Sequence, residues 1–220
     1  MGKPDIIYED NDIIVCYKPA GIATQTRRIG QQDMESFIRN YRAAKNEPPY
    51  VGIVHRLDQP VEGVMVFAKN QKAAASLNRQ IKEHTTEKYY HAASRGQGVS
   101  GADKEEDNHD PAWHTLTDYI SFDKRTNTSK ITSEKDRQAK KAVLQYRILS
   151  NECNKTEFDI KLLTGRHHQI RLQLANIGYP LIGDTKYGGE TAREQLALCS
   201  YKLVFDHPAT GERMTFEVKP

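Results

Sequence analysis

Two apolar-rich runs open the chain, Ile6-Ile7-Tyr8 and Ile13-Ile14-Val15-Cys16-Tyr17, separated by the polar stretch Glu9-Asp10-Asn11-Asp12. That alternation predicts two strands in a hairpin, ended by Lys18-Pro19-Ala20-Gly21. Met34, Phe37, Ile38 and Tyr41 follow helical spacing, with Asp33 available as the N-cap. Pro48-Pro49 breaks the chain before Val64-Met65-Val66-Phe67-Ala68, a short continuous apolar run that reads as a strand buried on both faces. Asn70 can cap the next helix, whose apolar stripe is Ala74, Leu77 and Ile81.

Further on, the period changes to two. Strands are predicted at Tyr89 to Ser94 and Leu116 to Ile120, separated by a Gly-rich and then charged stretch, Gln97 to Asp110, that reads as a mobile loop. Ala142, Leu144, Tyr146 and Ile148 share one face, as do Phe158, Ile160 and Leu162 in the following strand. Arg166 to Ile177 reads as a helix with Ile170, Leu174 and Ile177 on one stripe, Gly178 past its end and Pro180 as a stop. Cys199 to Phe205 and Met214 to Val218 make a last hairpin around His207-Pro208-Ala209-Thr210-Gly211. Hairpins outnumber helices, so the fold class is α+β: a single domain, residues 1–220, on a mixed, largely antiparallel β-sheet with flanking helices and loops.

Composition narrows the function classes. No apolar run has the length of a membrane span, and Met1-Gly2-Lys3-Pro4-Asp5 has no secretory character, so a cytoplasmic protein without membrane partners is expected. Cys16, Cys153 and Cys199 are widely spaced and odd in number, which argues for reduced buried thiols over a disulfide framework or a zinc site. The net charge of +3 permits a polyanionic partner without requiring one. Basic residues concentrate at Arg27-Arg28, Lys124-Arg125, Lys135 to Lys141 and Arg166 to Arg171, each of which can also be a solvated face.

Three constellations carry candidate chemistry. In Val54-His55-Arg56-Leu57-Asp58-Gln59-Pro60-Val61-Glu62-Gly63, a loop leads into the buried strand. Asp58 is either a reactive carboxylate presented by a rigid support or an ordinary loop residue in an ion pair. Arg56 can keep it ionised or contact a phosphate, whereas His55 has no second group evidently placed to orient it and reads as structural. In Thr164-Gly165-Arg166-His167-His168-Gln169-Ile170-Arg171, Thr164 stands at an N-cap position, and Arg166 and His168 near a helix start can hold an anion. Adjacent His167 and His168 diverge by about 100° on a helix, which argues against a shared metal. In Glu87-Lys88-Tyr89-Tyr90-His91, strand alternation puts the two tyrosines on opposite faces, one packing and the other able to stack on a base.

Taken in order, these pieces resemble the RluA-type family of pseudouridine synthases. The carriers are Tyr8-Glu9-Asp10, Lys18-Pro19-Ala20-Gly21, His55-Arg56-Leu57-Asp58, Lys88-Tyr89-Tyr90, Thr164-Gly165-Arg166 with His168-Gln169-Ile170-Arg171, then Gly178, Pro180, Gly183-Asp184 and Tyr187-Gly188, with a closing Phe205-Asp206-His207-Pro208. The resemblance implies isomerisation of a flipped-out uridine in rRNA or tRNA, with no metal and no organic cofactor. It implies Asp58 as the catalytic carboxylate and Arg56 as the residue that fills the gap left by the nucleotide. It further implies that Tyr90 packs on the target base and that Arg166 pairs with Asp58. Arg27, Arg28 and Arg171 are added as candidate RNA contacts. A monomer is expected, with no S4-type RNA-binding domain ahead of the catalytic one.

Three departures from the family pattern stand out. Val61-Glu62 stands where Thr-Ser is usual, Tyr17 where Asn precedes Lys-Pro-Ala-Gly, and His167 where Thr or Ser is common. A Glu62 carboxylate facing Asp58 raises the pKa of Asp58, so Glu62 is expected to point away. The alternative these departures raise is a catalytically weakened RNA-binding protein of the same fold. A nucleoside hydrolase is a further alternative, but it needs a second carboxylate at defined separation, for which Glu62 is the nearby candidate.

Overall fold

A computed structural model describes residues 4–26, 28, 30–95, 112–152, 154–188 and 194–220. The expected loop Gln97 to Asp110, Arg27 and Cys153 fall outside the described residues. The chain divides into two compact units, one formed by residues 1–88 and 199–220, the other by residues 89–198.

In the first unit, β1 (Asp5–Glu9) and β2 (Ile13–Lys18) form the expected antiparallel hairpin, with a register shift between Ile6 and Tyr8. Asp10 makes the turn by accepting the Asp12 and Ile13 amides at 2.7 and 2.9 Å. α1 (Met34–Ala44) starts at a capping box: Asp33 accepts the Ser36 amide at 2.7 Å, and the Ser36 hydroxyl accepts the Asp33 amide at 3.1 Å. β3 (Gly52–Ile53) and β4 (Glu62–Ala68) follow, and β4 is buried along nearly all of its length. Asn70 caps α2 (Gln71–Lys82) through the Ala73 amide at 2.9 Å. The strand order is β1-β2-β4, continued by β10 (Leu198–Asp206) and β11 (Arg213–Glu217), with β3 also on β4. β10 meets β4 in parallel at Cys199↔Glu62 and Ser200↔Gly63. Gly63 has φ +128, and a Cβ there would lie 2.2 Å from the Ser200 carbonyl oxygen, so this close approach requires glycine. The core below α2 contains Ile13, Val15, Val64, Val66, Leu77, Leu203 and Phe205.

The second unit holds β5 (Glu87–Ser94), β6 (His114–Asp123), β7 (Thr128–Thr132), β8 (Lys140–Glu152), β9 (Lys155–Leu162) and α3 (Gln169–Asn176). Its strands run in the order β5-β9-β8-β6-β7, antiparallel throughout, with β7 at the edge. Ala142, Leu144, Phe158 and Ile160 are buried as their alternation requires. α3 ends in a Schellman motif: Tyr179 N–H donates to Leu174 and Gly178 N–H to Ala175, with Gly178 at φ +89.

The start of α3 corrects the expected helix. His168 has φ 54, a left-handed conformation that ends any helix from Arg166, and the regular turns begin at Gln169. Thr164 is not the cap; its hydroxyl accepts the Val143 amide at 2.8 Å. No side chain caps α3; the Gln169 side chain instead braces the turn before it, its Oε1 accepting the Arg166 amide at 3.0 Å and the Thr164 hydroxyl at 2.8 Å. Because His168 is left-handed, the His167 and His168 rings do not diverge but stack 3.6 Å apart.

Candidate active site

Asp58 lies in the segment between β3 and β4, and the frame around it is built from main-chain hydrogen bonds. Leu57, 5% exposed, is gripped on both backbone groups by one side chain. The buried Thr24 hydroxyl donates to the Leu57 carbonyl at 2.8 Å and accepts the Leu57 amide at 3.1 Å. On the far side of Asp58, the Gln59 carbonyl accepts the Gly21 amide at 2.8 Å and the Lys18 ammonium at 3.2 Å. The Gln59 side chain returns a bond to the Gly21 carbonyl at 2.9 Å, and Val61 N–H closes a turn onto the Asp58 carbonyl at 3.0 Å. The residue before and the residue after Asp58 are thus both fixed, while Asp58 itself is half-buried.

Lys18 organises this frame from below. It is 0% exposed, and its three donors go to the carbonyls of Pro19, Ile22 and Gln59. A buried ammonium requires such saturation. Burial pulls its pKa down to about 8, against the charges of Asp58 and Glu62, which push it up. Arg56 is exposed and donates to the Gln25 side chain at 3.1 Å, and Gln25 donates in turn to Glu35 at 2.7 Å. His55 accepts the Val66 amide on Nε2 at 3.1 Å, and burial with the nearby Lys88 charge holds its pKa at about 3. A neutral ring accepting a strand amide supports the structural reading of His55.

Glu62 and Tyr17, two of the positions that depart from the family pattern, meet each other. Tyr17 stands opposite Val64 in the β2–β4 pairing, so Glu62 is its diagonal neighbour on the same face. The Tyr17 hydroxyl hydrogen-bonds the Glu62 carboxylate; burial and that carboxylate raise the phenol pKa. Burial and the Glu62 charge also push Cys199, the direct neighbour of Glu62 on β10, up to about 12. Cys16 and Cys199 are both free and buried, as expected for reduced thiols.

The second unit places the remaining candidates. Tyr90 is 6% exposed and stands opposite Ile160, whereas Tyr89 is half-buried with the Lys161 ammonium 5.3 Å from its ring centre. Arg166 is half-buried, and its Nε donates to the Lys141 carbonyl at 2.8 Å. Arg171 corrects the expectation of an RNA contact. It is 4% exposed and donates through Nε and Nη2 to the fully buried Asp184 at 2.8 and 2.6 Å. Asp184 also accepts the Lys186 and Tyr187 amides, which makes this pair an internal brace. Tyr187 extends it, its hydroxyl accepting the Ser129 amide at 2.8 Å and lying 2.9 Å from His168 Nδ1. Arg28 is exposed.

Against this geometry, a family model described as RNA pseudouridylate synthase matches residues 12–176. The chain belongs to this family. It is 32% identical to the uncharacterized RNA pseudouridine synthase YhcT of Bacillus subtilis (strain 168), over 98% of this chain and 68% of that protein. It is 34% identical to ribosomal large subunit pseudouridine synthase D of Pseudomonas aeruginosa, over 97% of this chain and 67% of that one. In fold it is similar to human RNA pseudouridylate synthase domain containing 1, with TM-score 0.75 and 23% identity over 99% of this chain and 84% of that one. Domain containing 4 gives TM-score 0.73 and 21% identity over 98% and 88%. Family membership makes the chain an isomerase that acts on uridine in RNA.

One side-chain group in this family member has metal-like composition: Asp10, Asp12 and His207. Its atoms are already engaged. His207 Nδ1 accepts the Thr210 amide at 3.1 Å, so Nε2 carries the hydrogen that is directed at Asp10, 2.8 Å away. Tyr8 donates to the same Asp10 oxygen at 2.9 Å, and Asp12 accepts from Asn70 at 2.8 Å. The group latches the turn of the closing hairpin to the turn of the opening one. No helix among the described residues is long and apolar enough to cross a membrane.

Proposed function

We propose that Asp58 is the carboxylate that carries out uridine isomerisation, on a flipped-out nucleotide of structured rRNA or tRNA. The supporting observation is the frame: Thr24 clamps Leu57 and Lys18 with Gly21 clamps Gln59, so the residue between them is held by bonds to its neighbours' main chain. Reaction geometry of this kind needs support from rigid neighbours.

The base must leave C1′ through N1, turn, and rejoin through C5. An ionised carboxylate serves either as nucleophile or as the base that removes the C2′ proton. The buried Lys18 charge lies close enough to interact with Asp58 and favours its ionised form. Flipping a uridine out of folded RNA costs a few kcal/mol. Exposed Arg56, steadied by Gln25, is the residue assigned to the vacated space. Tyr90 is assigned to packing on the base and Arg166 to pairing with Asp58, as the family motifs imply. A monomer acting in the cytoplasm completes the reading.

The test is Asp58→Asn, which keeps shape and removes charge. Turnover on RNA falls by roughly 10³-fold or more, while thermal stability and RNA affinity stay near wild type. Near-normal turnover in this variant removes Asp58 from the mechanism. Mapping pseudouridine in total RNA from cells with and without the protein identifies the modified position.

A further inference from the structure

The segment from Asp123 to Lys141 holds seven basic and three acidic residues, a local excess of four positive charges in a chain whose net charge is +3. All seven cations are exposed: Lys124 and Arg125 in the β6–β7 turn, Lys130 on β7, Lys135 and Arg137 in the next loop, and Lys140 and Lys141 at the start of β8. The three carboxylates are engaged locally. Asp123 accepts the Arg125 amide at 2.8 Å, Asp136 accepts the Gln138 amide at 2.9 Å, and Glu134 accepts the Tyr119 hydroxyl at 2.6 Å. Lys130 acts on Asp123 through space, but none of the seven forms an ion pair with a described residue. In the first unit some surface cations are paired, Arg39 with Glu35, Lys45 with Glu9 and Arg213 with Glu87, while Lys72, Arg79 and Lys82 on α2 form no ion pair with a described residue and provide a matched control.

The pairing registers give this charge a direction. Lys141 and Thr132 both stand opposite Tyr119, and Lys130 stands opposite Ser121 two residues on, so Lys130 and Lys141 share one face. The turn cations and the loop cations lie at the two ends of β7, whose five residues span roughly 17 Å. At the β8 end, the Lys141 carbonyl accepts Arg166 Nε, so the row ends at a residue assigned above to the site. A single lysine on an edge strand is ordinary protection against strand addition. Here only Lys130 lies in the edge strand, and protection does not account for the other six.

We propose that the β6–β7 hairpin and the loop into β8 form a sequence-independent track for the RNA backbone, which leads the substrate toward Arg166. This rests on the reading that the substrate is structured RNA and adds where its phosphates are held. A row of unpaired cations neutralises phosphates and releases counterions, so the track contributes affinity and salt dependence but no base selection.

The experiment compares two triple variants that remove equal charge. One is Lys130→Gln/Lys135→Gln/Lys141→Gln on the track. The other is Lys72→Gln/Arg79→Gln/Lys82→Gln on exposed positions of α2. The probes are a fluorescein-labelled 20-nucleotide RNA hairpin for binding and total RNA from cells lacking the protein for turnover. The track variant is expected to bind roughly tenfold more weakly, to lose roughly 2 from the slope of log affinity against log salt, and to raise KM with kcat retained at saturating RNA. The α2 variant is expected to stay near wild type. Equal losses in both variants, or no loss in the track variant of an active enzyme, overturn the track and leave the activity standing. A wild type that neither binds RNA nor forms pseudouridine overturns the functional reading and the track with it.

Discussion

Two aspartates, one in each unit, sit beside buried cations, and the cations do different things. Asp184 is 0% exposed and bonded by both arms of Arg171 and by two amides, so its carboxylate is saturated. Burial raises its pKa, but Arg171 and the amides outweigh that and hold it below the usual carboxylate range. Beside Asp58, buried Lys18 directs all three donors to carbonyls and acts on the carboxylate only through space. A cation bonded to a carboxylate braces a fold. A cation bonded to the main chain under a carboxylate fixes the loop and supplies charge without occupying the oxygens.

The largest expected effects separate these two designs. Asp184→Asn leaves a buried guanidinium without its charge partner and lowers stability by about 3–5 kcal/mol, read by urea unfolding. Asp58→Asn abolishes turnover at near-native stability. Should Asp184→Asn unfold at the wild-type urea midpoint, the brace has no energetic content and the contrast between the two aspartates fails.

Next in size is the clamp on Leu57. Thr24→Val keeps the shape but leaves the Leu57 amide and carbonyl buried without that partner, a cost of about 1–3 kcal/mol. If the clamp also positions Asp58, kcat falls while KM is held, and Thr24→Ser restores it because the hydroxyl suffices. Loss of stability with unchanged kcat makes Thr24 structural only.

These elements differ in how far the sequence revealed them. The β4 run, the Asp33 and Asn70 caps and the Gly178 terminus were legible because each depends on neighbours within a few residues. The left-handed His168 was not legible, because that conformation is uncommon for a side-chain-bearing residue and here depends on a turn closed by Gln169. Arg171 read as outward because its charge suggested solvent; its partner Asp184 is 13 residues away and already visible in the Gly-Asp motif. Thr24 gave no signal at all, since its grip on Leu57 spans 33 residues. The Asp58 loop was legible as a motif, but the reason for its order lies in Lys18, which reads in the sequence as the end of a strand.

The two neutral histidines sharpen the comparison by pH. Burial, with Lys88 near His55 and with Arg171 near His168, holds both at about 3 against an ordinary 6.5. The unfolded chain takes up these protons first, so their contribution to stability is complete above about 6.5 and is lost as pH falls toward about 3. Each group steepens the fall by up to roughly 1.4 kcal/mol per pH unit. His55→Gln is expected to lower the slope of unfolding free energy against pH by one proton between pH ~6 and ~4. An unchanged slope means that His55 is protonated in the fold and that its bond from Val66 is not what keeps it neutral.

The smallest expected effect concerns Tyr17 and Glu62. This chain has Glu62 four residues after Asp58 and a tyrosine donating to it. Lys18 interacts with both carboxylates, so a change in Glu62 reaches the charge environment of Asp58 through a shared neighbour. Tyr17→Phe removes the restraint and leaves the charge. It is expected to lower kcat a few-fold and move the acidic limb of the pH–rate profile upward, because a less restrained Glu62 disfavours ionised Asp58. In a Glu62→Gln background the same tyrosine change should be silent, giving a coupling of about 0.5–1.5 kcal/mol in the double-mutant cycle. Additive effects, with the acidic limb unmoved, reduce Tyr17 to a packing residue and leave Glu62 without influence on the reaction.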